Sequence, residues 1–391
     1  MKKLKIIWLH SHLTYSGGGT RFVYEAIREL SKSHQVKLYV QKTSPRLLKQ
    51  FTDGSIDVTV MSKHSTGDLK FWLNFSGQIN KEIKFLKNEA LNFDVVISSM
   101  FPMNIEGNAI GLPHLQSCFQ PFAFFWDPSM INKLPMMERL FLHFIKYKFG
   151  KLDIEATRKS DTVVTVISDV QKWISKVYSR DSIVAHAGVD TSFFKKTYDS
   201  NLHQKYAGKK IILHSTDWTP LKRTNWLIDE FVDISSKTNN VILLIIEVKT
   251  NGKERDKAIK KINENKINNI ELCGFIPENL LPAYYSLSDV CVYVGIGEGA
   301  AAASYIVLES MACETPVVRT NYTNDEVEHG KTGFLFEKDD KASFKKYVLE
   351  LLNNEQLNLE FGKSGRKFIE ETRSWKKFAE IYENNIFEIL K

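Results

Sequence analysis

The stretch "LSDVCVYVGIGEGAAAASYIVLESMACETPVV" (residues 287–318) reads as a strand, a loop of small residues, a helix and a second strand. The small residues from Gly299 to Ala303 leave room for a ligand to approach the main chain. The N–H groups of Ser304, Tyr305 and Ile306 follow at a helix N-terminus, where the first amides lack helical partners and the dipole favours negative charge. Glu309 interrupts the otherwise apolar "YIVLESMA" (305–312). A carboxylate in such a setting is seldom buried without a partner. Two hydrogen bonds from the vicinal diol of a ribose would satisfy it; the bland alternative is a Glu309 that points to solvent.

The same alternation extends outward from this stretch. On its N-terminal side "KKIILHS" (209–215), "VILLIIEV" (241–248) and "NIELCGF" (269–275) are short apolar strands. "RTNWLIDEFVDIS" (223–235) and "ENLLPAYYSLS" (278–288) are helical patterns between them. An earlier series begins with "LKIIWL" (4–9) and continues through "QVKLYV" (35–40), "FDVVISS" (93–99), "HLQSC" (114–118) and "DTVVTVIS" (161–168). Continuously apolar strands alternating with helices predict parallel sheets covered on both faces. The segment 186–210 has little periodicity and separates the two series. The expected fold is therefore α/β, with two doubly wound Rossmann-like domains facing a cleft. The expected spans are 1–195, 196–373, and a C-terminal helix over 374–391 that packs back on the first domain. Ligands of such sheets bind beyond the carboxyl ends of the strands.

The chain has 391 residues, long enough for two domains. Its net charge of +7 suits a polyanionic ligand or an anionic surface and does not call for nucleic acid. Cys118, Cys273, Cys291 and Cys313 stand apart without metal-ligand spacing, which predicts buried thiols and a cytoplasmic protein. The start "MKKLKIIWLHSH" has a short apolar core and no small-residue cleavage site, so it reads as a strand and not a signal peptide.

Two further stretches carry chemistry. Gly17, Gly18 and Gly19 follow the first strand and precede a helix, a natural anion site. The pattern is not GxGxxG, and no acidic residue ends "QVKLYV" to hold an adenosine ribose, which argues against a dinucleotide site. A flexible loop without a ligand is the plain alternative. In "ILHSTDWTPLKRTNWLI" (212–228), Lys222 and Arg223 follow a strand and precede a helix. There they could grip a diphosphate, Lys as a point charge and Arg as a fork; solvated surface is the other reading.

These motifs, taken in order, resemble the family-four retaining glycosyltransferases with the GT-B fold. "GGGTR" (17–21) is similar to that family's N-terminal glycine loop, and "HAGVDTSFF" (186–194) to its linker. "LKRTNWLI" (221–228), "CGFIPENLLPAYYSLSDVCVY" (273–293), "EVEHGKTGFLF" (326–336) and "RSWKKFAEIY" (373–382) have counterparts too, and "LESMACETPVV" (308–318) resembles "LEAMACGTPVV". The resemblance implies transfer of a hexose-type sugar from a UDP- or GDP-sugar, with retention, to a glycan, lipid-linked or other acceptor. The alternative is a catalytically silent subunit that stabilises a partner transferase. By the resemblance, Lys222 neutralises the diphosphate, Glu309 holds the ribose, and Phe275 and Ile276 present backbone to the base. Gly17 to Gly19 close over phosphates or acceptor. No two aspartates stand two apart, so the DxD metal motif of the other major transferase fold is absent, and no metal or cofactor is expected besides the donor.

Three positions depart from the family pattern. Ala301 stands where the family's first glutamate falls, with Glu298 as its replacement if "GEGAAAASY" (297–305) carries an insertion. Thr216 and Asp217 replace a Gly-Arg pair, leaving Arg223 to compensate. Phe119 stands where a functional histidine would fall, leaving His10 and His12 of the first loop to serve. Finally, "KLPMMERLFLHFIKYKFGKL" (133–152) is apolar with basic residues interspersed. It reads either as a surface resting peripherally on the inner face of an anionic membrane or as a core helix with a basic outer edge.

Overall fold

A computed structural model describes residues 2–14, 17–132, 134–296, 304–321 and 325–391. The chain divides into two compact units, one of Met1–Gly188 with Trp375–Lys391 and one of Val189–Ser374.

The first unit is built on seven strands: β1 (Lys5–Leu13), β2 (Gln35–Thr43), β3 (Asp57–Val60), β4 (Val95–Ser98), β5 (His114–Ser117), β6 (Thr162–Thr165) and β7 (Ile183–Val184). All pair in parallel, in the order β3-β2-β1-β4-β5-β6-β7. The second unit holds β8 (Lys210–Thr216), β9 (Val241–Glu247), β10 (Ile270–Gly274), β11 (Val290–Tyr293), β12 (Val317–Thr320) and β13 (Gly333–Phe336). They too are parallel, in the order β10-β9-β8-β11-β12-β13. Both sheets thus reverse their winding between the first and fourth strands, which is where doubly wound folds bind ligands. Alternate side chains of β8 feed different cores: Ile212 joins Phe231, Phe344 and Val348, whereas Ile211 and Leu213 join Val307, Leu308 and Met311. Two covered faces account for strands that read as unbroken apolar runs.

Two local expectations are corrected. His10 and His12 do not lie in a loop. β1 runs on to Leu13 because β2 runs beside it to Thr43, and the register from Lys5↔Gln35 to Leu13↔Thr43 supplies the extra backbone bonds. The segment 186–210 also holds a short helix, Ser200–Lys205, capped by Asp199, whose Oδ1 accepts from the Leu202 N–H at 2.9 Å.

The last helix, Trp375–Ile389, belongs to the first unit. Tyr382 stacks on Trp8 at 6.2 Å, and its hydroxyl lies 2.6 Å from Ser117 Oγ. Phe378 meets Phe22 edge-on at 5.3 Å. Among the described residues, no helix is long and apolar enough to cross a membrane.

Glu106, on the Met103–Ala109 helix, is fully buried, and neither of its carboxyl oxygens meets an N–H or O–H donor among the described residues. Burial first, and then the neighbouring Glu82 carboxylate, raise its pKa well above the ordinary value. Glu82 is itself held by Gln41 Nε2 and Gln78 Nε2, each at 2.9 Å. Glu106 therefore keeps its proton in the fold and loses it in the unfolded chain. The native state binds more protons above the unfolded pKa, so stability falls as pH rises through that window. Glu106→Gln is expected to raise the melting temperature at pH 8 and to change it little at pH 4.5. Equal shifts at both pH values would show that Glu106 is ionised in the fold.

Candidate functional site

The second unit gathers its charged groups beyond the ends of β8, β11 and β12. The loop after β8 is held in an uncommon conformation, because Trp218 and Arg223 both have positive φ, 59° and 53°. Such residues persist only where their surroundings over-determine them. The Trp218 N–H donates to Thr216 Oγ1 at 2.9 Å, and its indole N–H donates to Glu247 Oε1 at 2.9 Å. The Ile296 N–H donates to the Leu221 carbonyl at 2.9 Å, which ties this loop to the segment after β11.

So fixed, half-buried Lys222 places its Nζ 5.1 Å from the centre of the Tyr293 ring. Arg319, at the end of β12, brings its guanidinium to 5.5 Å from the same ring. Tyr293 and Arg319 are both buried. Burial alone would raise the Tyr293 pKa, but Lys222 and then Arg319 outweigh it, and the phenol is lowered. The Lys222 ammonium is stabilised in turn, chiefly by Tyr293 and against its own burial. The result is a pair of cationic side chains set against one buried phenol.

Arg319 also pairs with Glu326. Glu326 Oε1 accepts from the Ser304 N–H at 2.7 Å. The expectation that this amide faces a ligand is therefore corrected: a side chain already occupies it, positioned there by the buried arginine. Tyr305 and Ile306 follow in the first turn of the Tyr305–Ala312 helix. Glu309, on the next turn, does not point to solvent. It is buried and accepts from the Tyr285 hydroxyl at 2.8 Å.

Other expected residues have contacts of their own. Thr216 is buried, and its hydroxyl accepts from Thr224 Oγ1 at 2.7 Å, so it serves the loop's own fold. Arg223 pairs with Asp339 and lies over the Trp226 ring at 4.5 Å. Its charge is paired within the protein by the exposed Asp339. Phe275 is exposed after β10, with Ile276 buried beside it. Glu298 and the small residues from Gly299 to Ala303 lie outside the described residues.

The first unit carries the glycines and histidines. Gly17 precedes the Gly18–Leu30 helix and offers no side-chain cap. A Cβ added at Gly19 meets nothing within 4 Å. The protein itself thus does not demand glycine there, and no positive φ does so either. His10 Nδ1 lies 2.7 Å from Ser99 Oγ, across the point where the sheet reverses between β1 and β4. Burial, followed by the nearby His12, pushes its pKa down to about 3. His12 is lowered by burial and then by Lys42. Both rings are neutral at physiological pH. The His10 ring stands 6.2 Å from that of Phe119.

The residues not anticipated are Tyr285, Tyr293, Arg319 and Glu326. Tyr293 and Arg319 end apolar runs and read as ordinary strand residues. The signal available for Arg319 was Glu326, which lies seven positions on in a buried segment.

Residues 196–368 match the glycosyl transferases group 1 family. An uncharacterized glycosyltransferase of Methanocaldococcus jannaschii is 24% identical, with 100% of each chain covered. Among solved structures, a glycosyltransferase from Rickettsia africae superposes with a TM-score of 0.78 at 17% identity, covering 100% of each chain. The HepE protein of Anabaena in complex with UDP-glucose gives 0.78 at 14% identity, covering 98% of this chain and 100% of that one. With two parallel sheets of the same winding, the chain has the GT-B fold, and its second unit matches the glycosyl transferases group 1 family over residues 196–368.

Proposed function

We propose that this protein is a retaining hexosyltransferase that draws its sugar from a UDP- or GDP-sugar, without a required metal, and passes it to a glycan or lipid-linked acceptor. The observation that carries the reading is half-buried Lys222 held over the buried Tyr293 ring, with Arg319, itself paired with Glu326, near the same ring. Departure of a nucleoside diphosphate builds negative charge, and preorganised cations in a partly dehydrated site stabilise it without reorganising. Glu309, held by Tyr285, is the acceptor for ribose hydroxyls, and the Phe275–Ile276 loop is the contact for the base. In the first unit, the uncapped helix at Gly17 to Gly19 offers amides to phosphate or acceptor. Neutral His10 is a hydrogen-bonding group for acceptor or sugar. HepE's UDP-glucose complex supports a nucleotide-sugar donor by analogy of fold. A cytoplasmic location, peripheral on the inner face of the membrane, belongs with this reading.

The test is a thermal-shift panel of nucleoside diphosphates and nucleotide sugars, followed by turnover with and without EDTA. A ligand at 100 times its Kd should add ~2.7 kcal/mol to stability. The expected result is a shift with one nucleotide diphosphate and its sugar, and turnover that EDTA leaves intact. No shift with any member would overturn the donor site. Turnover abolished by EDTA and restored by Mg²⁺ would overturn the metal-free reading. Inversion at the anomeric carbon of the product would overturn retention.

A further inference from the structure

The transferase reading leaves the segment after Ile131 unused. Its helix, Met136–Lys159, has two apolar faces. Leu142, Ile145 and Phe149 enter the core with Phe71, Phe75 and Phe125. On the other side Met136 is 65% exposed, Met137 75%, Leu140 57%, Phe144 60% and Tyr147 90%. At 100° per residue these five fall within one arc of about 100°, a continuous stripe some 17 Å long at ~1.5 Å per residue. Most soluble monomers keep their largest apolar patch within ~300–600 Å², and such patches are often functional. Cations frame this one. Lys148 and Lys151 are exposed, and half-buried Arg139 and Lys146 stand on the same helix. Against them the outer surface of the helix carries only Glu138 and Glu155; Asp153 is buried and accepts from Trp126 Nε1 at 2.7 Å and Tyr178 Oη at 2.8 Å.

We infer that the Met136–Tyr147 face is a docking surface for an anionic lipid bilayer, with the apolar stripe entering the headgroup boundary and the cations meeting lipid phosphates. The choice of occupant follows from charge. A second copy placed face to face would bring Arg139, Lys148 and Lys151 against their like. An anionic leaflet answers the same cations, each contributing through the surface potential, while Met, Leu and Phe supply the buried area. Tyr147, amphipathic and nearly fully exposed, suits the polar boundary of that layer. Lipid docking would place the enzyme beside a lipid-linked acceptor, so it deepens the transferase reading on the acceptor side. The surface itself depends on none of the donor-site residues.

The experiment is sedimentation of the full chain with vesicles, without any nucleotide sugar, so that its outcome is separate from that of the donor panel. Vesicles of phosphatidylcholine with phosphatidylglycerol should carry the protein down, and pure phosphatidylcholine should do so at least roughly tenfold less well. The Leu140→Ser/Phe144→Ser variant, checked for an unchanged melting temperature, should lose binding. Lys148→Ser/Lys151→Ser should weaken it and flatten its salt dependence. Absence of binding to the anionic vesicles would overturn the inference, as would binding that survives Leu140→Ser/Phe144→Ser. Concentration-dependent dimerisation in lipid-free buffer that the same variant abolishes would assign the face to a second copy instead.

Discussion

Lys222→Met is expected to lower turnover ~100- to 1,000-fold, the range for removing one group that stabilises charge in a transition state. The side chain sits on the Pro220–Lys222 turn, and methionine keeps most of its apolar stem. Folding should therefore be nearly unaffected. The loss should fall on the maximal rate more than on donor affinity, because the negative charge on the diphosphate grows as the sugar departs. A second readout reports on the cluster itself. Lys222 is the chief group lowering the Tyr293 phenol against burial, with Arg319 next. In the variant that phenol should ionise at higher pH, visible by ultraviolet titration relative to Tyr293→Phe. A variant turning over within threefold of the parent would remove Lys222 from the diphosphate site. A changed rate with an unchanged phenol would show that the two side chains are not coupled.

Glu309→Gln should weaken binding of the nucleoside diphosphate by ~1.5–3 kcal/mol, the range for a hydrogen bond to a charged group, or roughly 10- to 150-fold. The amide keeps the shape and can still accept from Tyr285, so the fold is preserved while the charge is lost. Tyr285→Phe separates the two parts of the arrangement. It removes the hydroxyl that orients Glu309 and leaves the carboxylate, so its effect on affinity should be smaller than that of Glu309→Gln. Calorimetry on the folded proteins decides between these outcomes. An unchanged nucleotide affinity in Glu309→Gln would mean that the buried carboxylate serves only the packing of its own helix.

Most strands of both sheets could be read from the residues because strands buried on both faces leave a clear record, whereas the short β3, β7 and β13 were not read as strands. "VILLIIEV" and "DVCVYVG" have no polar alternation to confuse them, and the helices between them bury one face each. What could not be read was the fate of polar residues at strand ends. His10 and His12 interrupt an apolar run and so read as loop, yet a neighbouring strand continued β1 through them. Arg319 reads as an ordinary strand residue. In the fold it is fully buried, because Glu326 and the Tyr293 ring answer its charge from positions seven and twenty-six residues away in sequence. Arg223 likewise has a partner that no local pattern announces, Asp339, more than a hundred residues on. Partners this distant are set by topology and not by local pattern. The helix over 136–159 was ambiguous for a different reason. Apolar residues cover most of its circumference, so periodicity could not separate the face packed on Phe75 from the one left in solvent.

The placement of the final helix sets an order of events during synthesis. The Val189–Ser374 unit is one unbroken run of chain and has all its strands once Phe336 has left the ribosome. The unit begun by the N-terminus is discontinuous, since Trp8, Phe22 and Ser117 wait for Trp375, Phe378 and Tyr382. Domains emerging from a ribosome ordinarily mature from the N-terminus onward. Here the first domain to emerge is the last to be finished. A chain stopped just before Trp375 would carry a complete second unit and a first unit with a bare aromatic seam, a species that chaperones and proteases recognise. Synthesis of the Trp375–Ile389 helix is thus the step that completes the domain begun first.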